Sequence, residues 1–506
     1  MSDVYLAIDL GTGGPKVGVV DQSGEVVEYG VDAVGTHYDE RGAATQDPRE
    51  WWALIQARAG RLLAVDDRAR RLRGVAVTGQ YASTVPVDAS GEPTGPCLTW
   101  MDTRGGPYSR SAVGGPVQGY NPRAVLAFVR KTGGAPSLAG ADPVGHLLYL
   151  AHDEPELVER TRWFLEPVDF LTMRLTGVAS ATHASRLAMW MTDNRRLDRL
   201  AYDDDLLRLA GIDGSRLPPL VPFGAVVGSL LPDVAREWGV PHDVPVTTGI
   251  PDLHAAALGA GATEPYATHL ALSTTSWIAC PVPQKKTDVV HGITAIPGLS
   301  NDRYLVINNQ EVGAKALEWF RGTLGDDPPS YDDLTALAAT SPPGARGVRF
   351  APWLAGERSP VDDKSARAGF SDLSITTSRA DMVRAVMEGV AANSAWLFSY
   401  VERFAGRRLE PIRLLGGGAQ SDLWCQIYAD TLEREVVQVP DPLVAQLRGV
   451  ARLAEAAAAG RPIGDVGPVR EGQHFTPDAE RVEVLRDVRR GLPQRYRLER
   501  SRRKRR

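Results

Sequence analysis

Short apolar runs alternate with glycine-rich turns at the start of the chain. Residues 5–8 are apolar and lead into the turn 9–16, which contains three glycines. Residues 17–20 are apolar again and lead into the turn 21–24. Apolar runs bounded by glycine and aspartate are typical of β-strands joined by hairpins. We therefore predict strand, glycine turn, strand and hairpin turn over residues 1–30.

Further along the chain, several stretches have apolar residues at helical spacing. The predicted helices and helical pieces are 51–65, 164–175, 232–238, 379–404 and 422–432. Runs rich in β-branched and aliphatic residues predict further strands at 72–77 and 412–415. Strands dominate early and helices follow, which favours an α/β fold with helices covering a mixed sheet.

The second half of the chain repeats the organisation of the first. A strand at 244–249 leads to Asp252 at the start of an alanine-rich helix, and residues 270–279 have the pattern of strand, small hydroxylated turn and strand. Two such turns, one in each half, predict a nucleotide bound between duplicated domains. We place the boundary near residue 247, giving domains 1–247 and 248–485.

The glycine turns carry the candidate chemistry. Glycines let the backbone approach a ligand closely, and their amides can hold phosphate oxygens. Asp9 can hold a hydrated Mg²⁺, and Thr12 adds a hydroxyl. On these residues alone, a plain glycine-rich hairpin is an equally good interpretation. A third glycine segment, 416–421, lies between a strand and a helix, an arrangement that suits an anionic or flat ligand at a helix N-terminus.

Composition narrows the class of protein. The chain has 506 residues, enough for two domains or more, and 43% of them are apolar, as in folded soluble proteins. There is no run of about 18 apolar residues and no signal-peptide pattern. The three cysteines lack metal-type spacing. We therefore expect a cytoplasmic enzyme or binding protein that has no membrane segment.

The charge is unevenly distributed. The net charge is -5, but residues 489–506 contain ten Lys/Arg and one acid. A basic tail can bind nucleic acid or another acidic surface, or it can be a solvated terminus. We favour the second interpretation and predict that the tail 486–506 is disordered and that nucleic acid is not a partner.

Several of these segments, in this order and spacing, resemble the FGGY family of carbohydrate kinases, and the xylulokinases most closely within it. The resemblance covers residues 6 to about 485. The segments that carry it are 9–16, 79–80 with 100–104, 249–259, 270–276 and 416–430, with 354–360 and 387–389 as further landmarks.

The resemblance implies two duplicated actin-like (ribonuclease H-like) domains with a nucleotide cleft between them. It also implies transfer of the γ-phosphate of ATP to a sugar hydroxyl with Mg²⁺. Asp252 is then the general base, and Asp9 orients the metal through water. The implied phosphate contacts are Gly11, Thr12, Gly13, Lys16, Thr274 and Thr275. The implied adenine and ribose contacts are Gly417, Gly418, Ala419 and Ser421.

The implied sugar contacts are Gln80, Tyr81, Ala82, Asp102, Arg104 and Asp252. Three alternatives stay open at this point. Asp252 can instead be the N-cap of its helix, Asp102 and Arg104 can pair with each other, and Lys16 can be a solvated lysine.

The departures from the family pattern lie mostly on the sugar side. Xylulokinases have Gly-Gln-Met-His-Gly where this chain has Gly-Gln-Tyr-Ala-Ser at 79–83, and the residue after the catalytic aspartate is Leu253 rather than asparagine. Each lost polar partner costs a given sugar roughly 1–3 kcal/mol. The pocket is therefore expected to suit a different or less polar polyol than xylulose.

The ATP side departs as well. Ser273 replaces a glycine, Pro15 removes an amide from the first turn, and Arg448 interrupts a small-residue segment. Two function classes therefore remain: an ATP-dependent sugar or polyol kinase, which is favoured, and a weak or inactive sugar- or nucleotide-binding regulator. An actin-like chaperone ATPase would lack the segments around Gln80 and Asp102. By resemblance alone, a homodimer is possible.

Overall fold

The computed structural model of the protein describes residues 2–463 and 469–503. The strands of the first half are β1 (Val4–Gly11), β2 (Gly14–Asp21), β3 (Val26–Val31), β4 (His37–Tyr38), β5 (Ala44–Gln46), β6 (Leu72–Gly79), β7 (Val85–Val87), β8 (Cys97–Leu98), β9 (Gly114–Val117), β10 (Trp163–Leu165), β11 (Val226–Ser229), β12 (Pro245–Thr247) and β13 (Ile250–Pro251). Its helices are α1 (Pro48–Leu63), α2 (Arg68–Arg71), α3 (Gly106–Val113), α4 (Pro122–Thr132), α5 (Pro143–Asp153), α6 (Pro155–Arg160), α7 (Pro167–Thr176), α8 (Asp204–Ala210), α9 (Pro232–Trp238) and α10 (Asp252–Gly259).

The second half has the same kinds of elements. Its strands are β14 (Thr268–Leu272), β15 (Ser276–Ala279), β16 (Pro281–Val282), β17 (Thr287–Asp288), β18 (Ile293–Pro297), β19 (Tyr304–Ile307), β20 (Arg349–Ala351), β21 (Gly369–Ser371), β22 (Ile412–Leu415), β23 (Val436–Gln438) and β24 (His474–Phe475). Its helices are α11 (Lys315–Gly322), α12 (Tyr331–Ala339), α13 (Arg379–Ala405), α14 (Asp422–Leu432), α15 (Ala445–Ala458) and α16 (Ala479–Arg503).

Each half is built around a mixed sheet that begins with a hairpin. The first sheet has the order β11-β12-β6-β1-β2-β3, and the second has the order β15-β14-β22-β23-β24. In the first, β1 is antiparallel to β2 and parallel to β6. In the second, β14 is antiparallel to β15 and parallel to β22. The shared arrangement of hairpin plus parallel neighbour confirms the predicted duplicated α/β fold.

Both faces of β1 are buried, which is why its sequence is a continuous apolar run. Leu6 and Ile8 point into the core beneath α1, where they join Trp51. Ala7 points to the opposite face and joins Leu447 of α15. Strands covered on both sides show no polar alternation. The apolar run therefore predicts the strand, but it does not predict which side chains point to which face of the sheet.

Helices α10 and α15 cross between the two sheets. A Cβ on Gly259 would lie 1.8 Å from the Ala445 carbonyl oxygen, and one on Gly449 would lie 1.9 Å from that of Ala255. Only glycine permits this close crossing. Since α15 packs on the first sheet and α10 packs on the second, the pair joins the two halves. Arg448, which interrupts this segment, donates to the Gly24 carbonyl oxygen at 3.0 Å and so ties α15 to the first half.

The predicted helices lie close to the observed ones, with one difference in kind. Helix α13 ends one residue beyond the predicted 404, and α14 has the predicted bounds. The piece predicted at 164–175 is instead strand β10 followed by α7, because Pro167 starts the helix at its first turn. The boundary near 247 stays a prediction; β13 extends the first sheet to Pro251.

The prediction of a disordered tail is wrong for residues 486–503, which form most of α16. Val488, Leu492 and Tyr496 are buried on one side of this helix, and none of its arginines is fully buried. Counting charge alone missed this apolar stripe, which has helical spacing. Residues 504–506 lie outside the described residues. None of the helices in the described part of the chain is long and apolar enough to span a membrane.

Candidate active site

Three segments from different parts of the chain, two of them rich in glycine, meet where the two halves adjoin, a place that we call the cleft. Lys16, at the end of the first turn, donates to the Leu443 carbonyl oxygen at 3.2 Å. The Leu443 side chain lies 3.8 Å from where a Cβ on Gly417 would be. A Cβ on Gly416 would lie 2.5 Å from the Ser273 hydroxyl. The first turn, the second turn and the segment 416–421 are therefore neighbours.

The first turn is closed by the shortest possible pairing of β1 and β2, in which Gly11 lies opposite Gly14. Gly14 has φ +131°, and a Cβ there would lie 2.0 Å from the Asp32 carbonyl oxygen, so glycine is required. A Cβ on Gly13 would meet nothing within 4 Å. The exposed Gly13 backbone therefore presents an open surface that a ligand can approach.

The second turn and the segment 416–421 adjoin at the ends of β14 and β22. Thr274 is exposed, Thr275 is half-buried, and the Thr274 carbonyl oxygen accepts from the Gly313 amide at 2.9 Å. A Cβ on Gly417 would meet only the Leu443 side chain, at 3.8 Å, whereas a Cβ on Gly418 would lie 2.4 Å from Leu272. Of these glycines, Gly417 is the one whose backbone is open to a ligand.

Ala419 and Ser421 connect this segment to helices of the second half. Ala419 is fully buried, and its carbonyl oxygen accepts from Gln438 at 2.7 Å. Ser421 caps α14 by accepting from the Trp424 amide at 3.2 Å, and its hydroxyl lies 3.4 Å from Thr335 of α12. These contacts fix the backbone that runs from Gly416 to the start of α14.

Asp252 begins α10 at the junction of the two halves. It is not the N-cap, which is Pro251, and its carboxylate accepts from the Leu253 amide at 2.7 Å. Burial and the nearby negative charge of Asp9 raise the pKa of Asp252 to about 7, with the Leu253 amide acting in the opposite direction. A carboxylate with such a pKa is suited to accept a proton near neutral pH.

Asp9, whose charge acts on Asp252, is paired with Lys16. Asp9 is 8% exposed, and its carboxylate is 3.5 Å from the Lys16 ammonium. Burial raises the pKa of Asp9, and the charge of Lys16 partly offsets this rise. Lys16 thus bridges Asp9 in the first half and the Leu443 backbone in the second, instead of extending into solvent.

Gln80 and Thr12 belong to one hydrogen-bond network. The Thr12 hydroxyl donates to Gln80 at 3.3 Å and accepts from the Trp100 indole at 3.1 Å. Gln46 donates to the Thr12 carbonyl oxygen at 2.7 Å and accepts from Gln80 at 3.2 Å. The first glycine turn is therefore tied directly to the candidate sugar side.

Tyr81 and Ala82 follow Gln80 along this wall. Burial, and then the charge of Asp252, raise the pKa of Tyr81, while the guanidinium of Arg358 from the second half lowers it. The phenol therefore lies within electrostatic reach of both groups. Ala82 has φ +60°, a strained conformation for alanine, in which histidine is more often found.

Asp102 and Arg104 pair with each other. Their closest approach is 2.7 Å, and Asp102 is fully buried. The Asp102 carboxylate also accepts from the Ala44 amide at 3.1 Å, and Arg104 donates to the Tyr149 hydroxyl at 2.9 Å. A contact between Asp102 and a sugar stays a prediction, and it would require this pair to open.

Comparison with known families decides the class of this chain. The model of the N-terminal domain of the FGGY family of carbohydrate kinases matches residues 4–259, and that of its C-terminal domain matches residues 273–458. The chain belongs to the FGGY family of carbohydrate kinases. It is therefore a sugar kinase, of a family that uses ATP as phosphate donor.

Individual relatives are distant and differ in name. The chain is 27% identical over 439 residues to a xylulose kinase of Staphylococcus epidermidis, covering 86% of this chain and 84% of that protein. It is 26% identical over 453 residues to a gluconokinase of Bacillus licheniformis, covering 87% and 85%. The fold is similar to that of a "xyloylose kinase" of Brucella ovis, with a TM-score of 0.86 at 24% identity over 98% of this chain and 99% of that one.

The residues of this FGGY kinase fit a magnesium ion held mainly by water and phosphate. Within 2–463 and 469–503, no group of three or more His, Cys, Asp or Glu could hold a metal ion. Mg²⁺ at phosphate sites commonly uses one or two carboxylates and keeps several waters. Asp9, buried at the start of the first turn and paired with Lys16, fits that use.

Three residues of this kinase near the cleft escaped the sequence reasoning. Gln46 contacts Thr12, and Arg358 acts on Tyr81 from the second half. Glu166, fully buried, accepts from the Ser83 amide at 3.0 Å and so fixes the turn after Tyr81. No local motif marks Gln46 or Glu166; Arg358 lies in the landmark segment 354–360, which was the one available signal.

Proposed function

We propose that this protein transfers the γ-phosphate of ATP to a hydroxyl of a sugar or polyol, with Asp252 as the general base. One observation carries the proposal: Asp252 lies at the start of α10, between the halves, with its pKa raised to about 7 by burial and by Asp9. Tyr81 and Asp9 of the first turn both lie within electrostatic reach of Asp252, so a hydroxyl and a phosphate can meet there.

The chemistry follows from this arrangement. Asp252 accepts the proton of the sugar hydroxyl while the oxygen of that hydroxyl bonds to the γ-phosphorus. The bond from that phosphorus to the β–γ bridging oxygen breaks, and ADP leaves. The amides of the turn 11–13 and the side chains of Thr274 and Thr275 are available to the phosphate oxygens. Lys16 adds positive charge on the same side.

Asp9 would hold a magnesium ion through water. When bound, the ion supplies positive charge that offsets the charge on the phosphate oxygens. Gly417 and Ser421 would approach the adenine and ribose, because a Cβ on Gly417 would meet no atom closer than 3.8 Å and Ser421 is the N-cap of α14.

The substrate is proposed to differ from xylulose. Tyr81, Ala82 and Leu253 replace polar or flexible residues of the xylulokinase pattern, and Leu253 is 6% exposed. An apolar wall discriminates weakly, whereas a hydrogen-bonding site rejects ligands that leave its groups unpaired. Another pentulose, a deoxy sugar or an alditol is therefore expected to be a better substrate than D-xylulose.

The test is sugar-stimulated release of ADP across a panel of ketoses, aldoses, alditols and aldonates. We expect at least one member of the panel to stimulate ADP release strongly, with D-xylulose among the poor substrates. If D-xylulose is turned over faster than every other member, the substrate proposal is wrong and the unaltered xylulokinase specificity stands. If no member stimulates release, the kinase proposal is wrong and the regulator alternative is favoured.

A further inference from the structure

Helix α16 covers the outer face of the second half. Its buried residues Leu485, Val488, Leu492 and Tyr496 share one apolar cluster with Trp353, Ala366 and Ala392. The Tyr496 ring is 5.5 Å, centroid to centroid, from those of Trp353 and Trp396. This packing anchors the C-terminal part of the helix beside the segment 356–364, which we call the landmark loop.

The end of α16 holds one carboxylate of the landmark loop. The Tyr496 hydroxyl donates to Asp363 Oδ2 at 3.0 Å, and Arg503 donates to the same oxygen at 2.8 Å. Asp363 is 11% exposed and Arg503 is 28% exposed at the side chain. A partly buried, charge-assisted contact of this kind is stronger than a surface ion pair.

Asp363 is in turn paired with the base of the loop. The Asp363 amide donates to the Glu357 carbonyl oxygen at 2.9 Å, and the Glu357 amide donates back at 3.0 Å. The buried Glu357 carboxylate accepts from the amides of Glu311 at 3.2 Å and Arg358 at 2.9 Å. The backbone of Arg358 is therefore fixed from both sides of Glu357.

Arg358 follows Glu357 in the landmark loop, and its side chain extends towards the cleft. Its guanidinium donates to the Glu311 carboxylate at 3.0 Å, and Gln310, the residue before Glu311, pairs with Ser276 at the second turn. The charge of Arg358 also lowers the pKa of Tyr81 across the cleft. The side chain is half exposed. A shift of the landmark loop would consequently move a cation relative to Tyr81 and Asp252, without touching the glycine turns.

We propose that Tyr496 and Arg503 are positioning residues that, through Asp363, set the place of Arg358 at the sugar side of the cleft. The inference rests on the proposed function. The C-terminal helix thereby acts on sugar binding from outside the cleft, and Arg358 contacts the bound sugar from the second half.

The kinetic test compares Tyr496→Phe, Arg503→Gln and Arg358→Gln with the parent protein, using the sugar that the parent turns over fastest. Each variant is expected to raise the KM for sugar about threefold to tenfold, with the KM for ATP within twofold of the parent. The double variant Arg358→Gln with Arg503→Gln should have the same KM for sugar as Arg358→Gln alone, because both changes remove the same interaction between Arg358 and the sugar. Arg497→Gln, on the same helix and bonded to its own Pro493 carbonyl oxygen, is the matched control and should match the parent.

The second arm measures hydrogen–deuterium exchange without any ligand. Arg503→Gln should raise exchange in the peptide covering 356–364, while Arg497→Gln should not. Unchanged exchange there, or additive effects in the double variant, would overturn the inference whether or not the kinase is active. Raised exchange with an unchanged KM for sugar would overturn the link to Arg358. A parent protein that phosphorylates no sugar would overturn the proposed function and the kinetic claim, and the exchange result would then report on the helix contact by itself.

Discussion

The nucleotide side and the sugar side of the cleft differ in whether backbone or side chains form most of the surface. The nucleotide side is mainly backbone: a Cβ on Gly13 would meet nothing within 4 Å and one on Gly417 only Leu443 at 3.8 Å. Neighbouring strands and helices hold the turns around these glycines. The sugar side consists of side chains held by other side chains: Gln80 donates to Gln46, and Asp102 pairs with Arg104. Backbone surfaces depend on a few glycines at fixed places, whereas side-chain networks can be changed one residue at a time. The departures that the sequence analysis places on the sugar side, at Tyr81, Ala82 and Leu253, are accordingly changes of single side chains.

The largest expected effect on turnover comes from changing the Asp252 carboxylate, which lies between the nucleotide side and the sugar side. Asp252→Asn keeps the size and removes the charge, so sugar-dependent turnover should fall by roughly 10²–10⁴. Circular dichroism and thermal unfolding should show an intact fold. Asp243→Asn, an exposed aspartate before β12, is the matched control and should keep the parent rate. Parent-level turnover in Asp252→Asn would remove this residue from the mechanism.

The pH dependence should follow the same carboxylate. The folded pKa of Asp252 is about 7, raised from 3.8, so the base is ionised above pH 7 and protonated below it. The kcat/KM for sugar should be level at pH 8 and fall about tenfold per pH unit below 7, approaching 100-fold at pH 5. The residual activity of Asp252→Asn should lack this limb. A profile that stays level down to pH 5 contradicts the assignment.

An intermediate effect should separate the backbone side from the sugar side. A methyl group on Gly13 or Gly417 meets little in the protein itself, so Gly13→Ala and Gly417→Ala should leave thermal stability unchanged. Each methyl group would still obstruct the close approach of phosphate or ribose. We expect the KM for ATP to rise about tenfold, near 1.4 kcal/mol, with the KM for sugar within twofold.

The control for this pair is Gly322→Ala at the end of α11, where a Cβ also meets nothing within 4 Å. It should change neither KM. If Gly13→Ala and Gly417→Ala raise the KM for sugar as much as that for ATP, the division of the cleft into two sides is wrong.

The smallest effect should come from restoring two side chains on the sugar side. Ala82 has φ +60°, which histidine tolerates at least as well as alanine. Ala82→His combined with Leu253→Asn should shift the ratio of kcat/KM for D-xylulose over the best substrate about threefold to tenfold towards xylulose. The KM for ATP is the internal control and should not move. No shift in the ratio would mean that these positions do not face the sugar.

The same contrast explains what the sequence could predict. The strands around the first turn, the bounds of α14 and the duplication depend on local patterns, and they are confirmed. The contact of Gln46 with Thr12 joins residues 34 positions apart, and Arg358 acts on Tyr81 from the other half of the chain. Neither pairing leaves a local pattern. The tail prediction failed for a different reason: the basic charge of the segment was weighed without the helical spacing of the apolar stripe that ends at Tyr496.

The most direct test of the central claim is to follow the transferred group itself. The protein is incubated with each sugar of the panel and ATP whose γ-phosphate carries ¹⁸O, and the products are identified by mass spectrometry. The account predicts labelled sugar phosphate in one-to-one yield with ADP, formed by the parent protein and strongly reduced in Asp252→Asn. Label found in inorganic phosphate alone, or retained in ATP with every sugar, would contradict it.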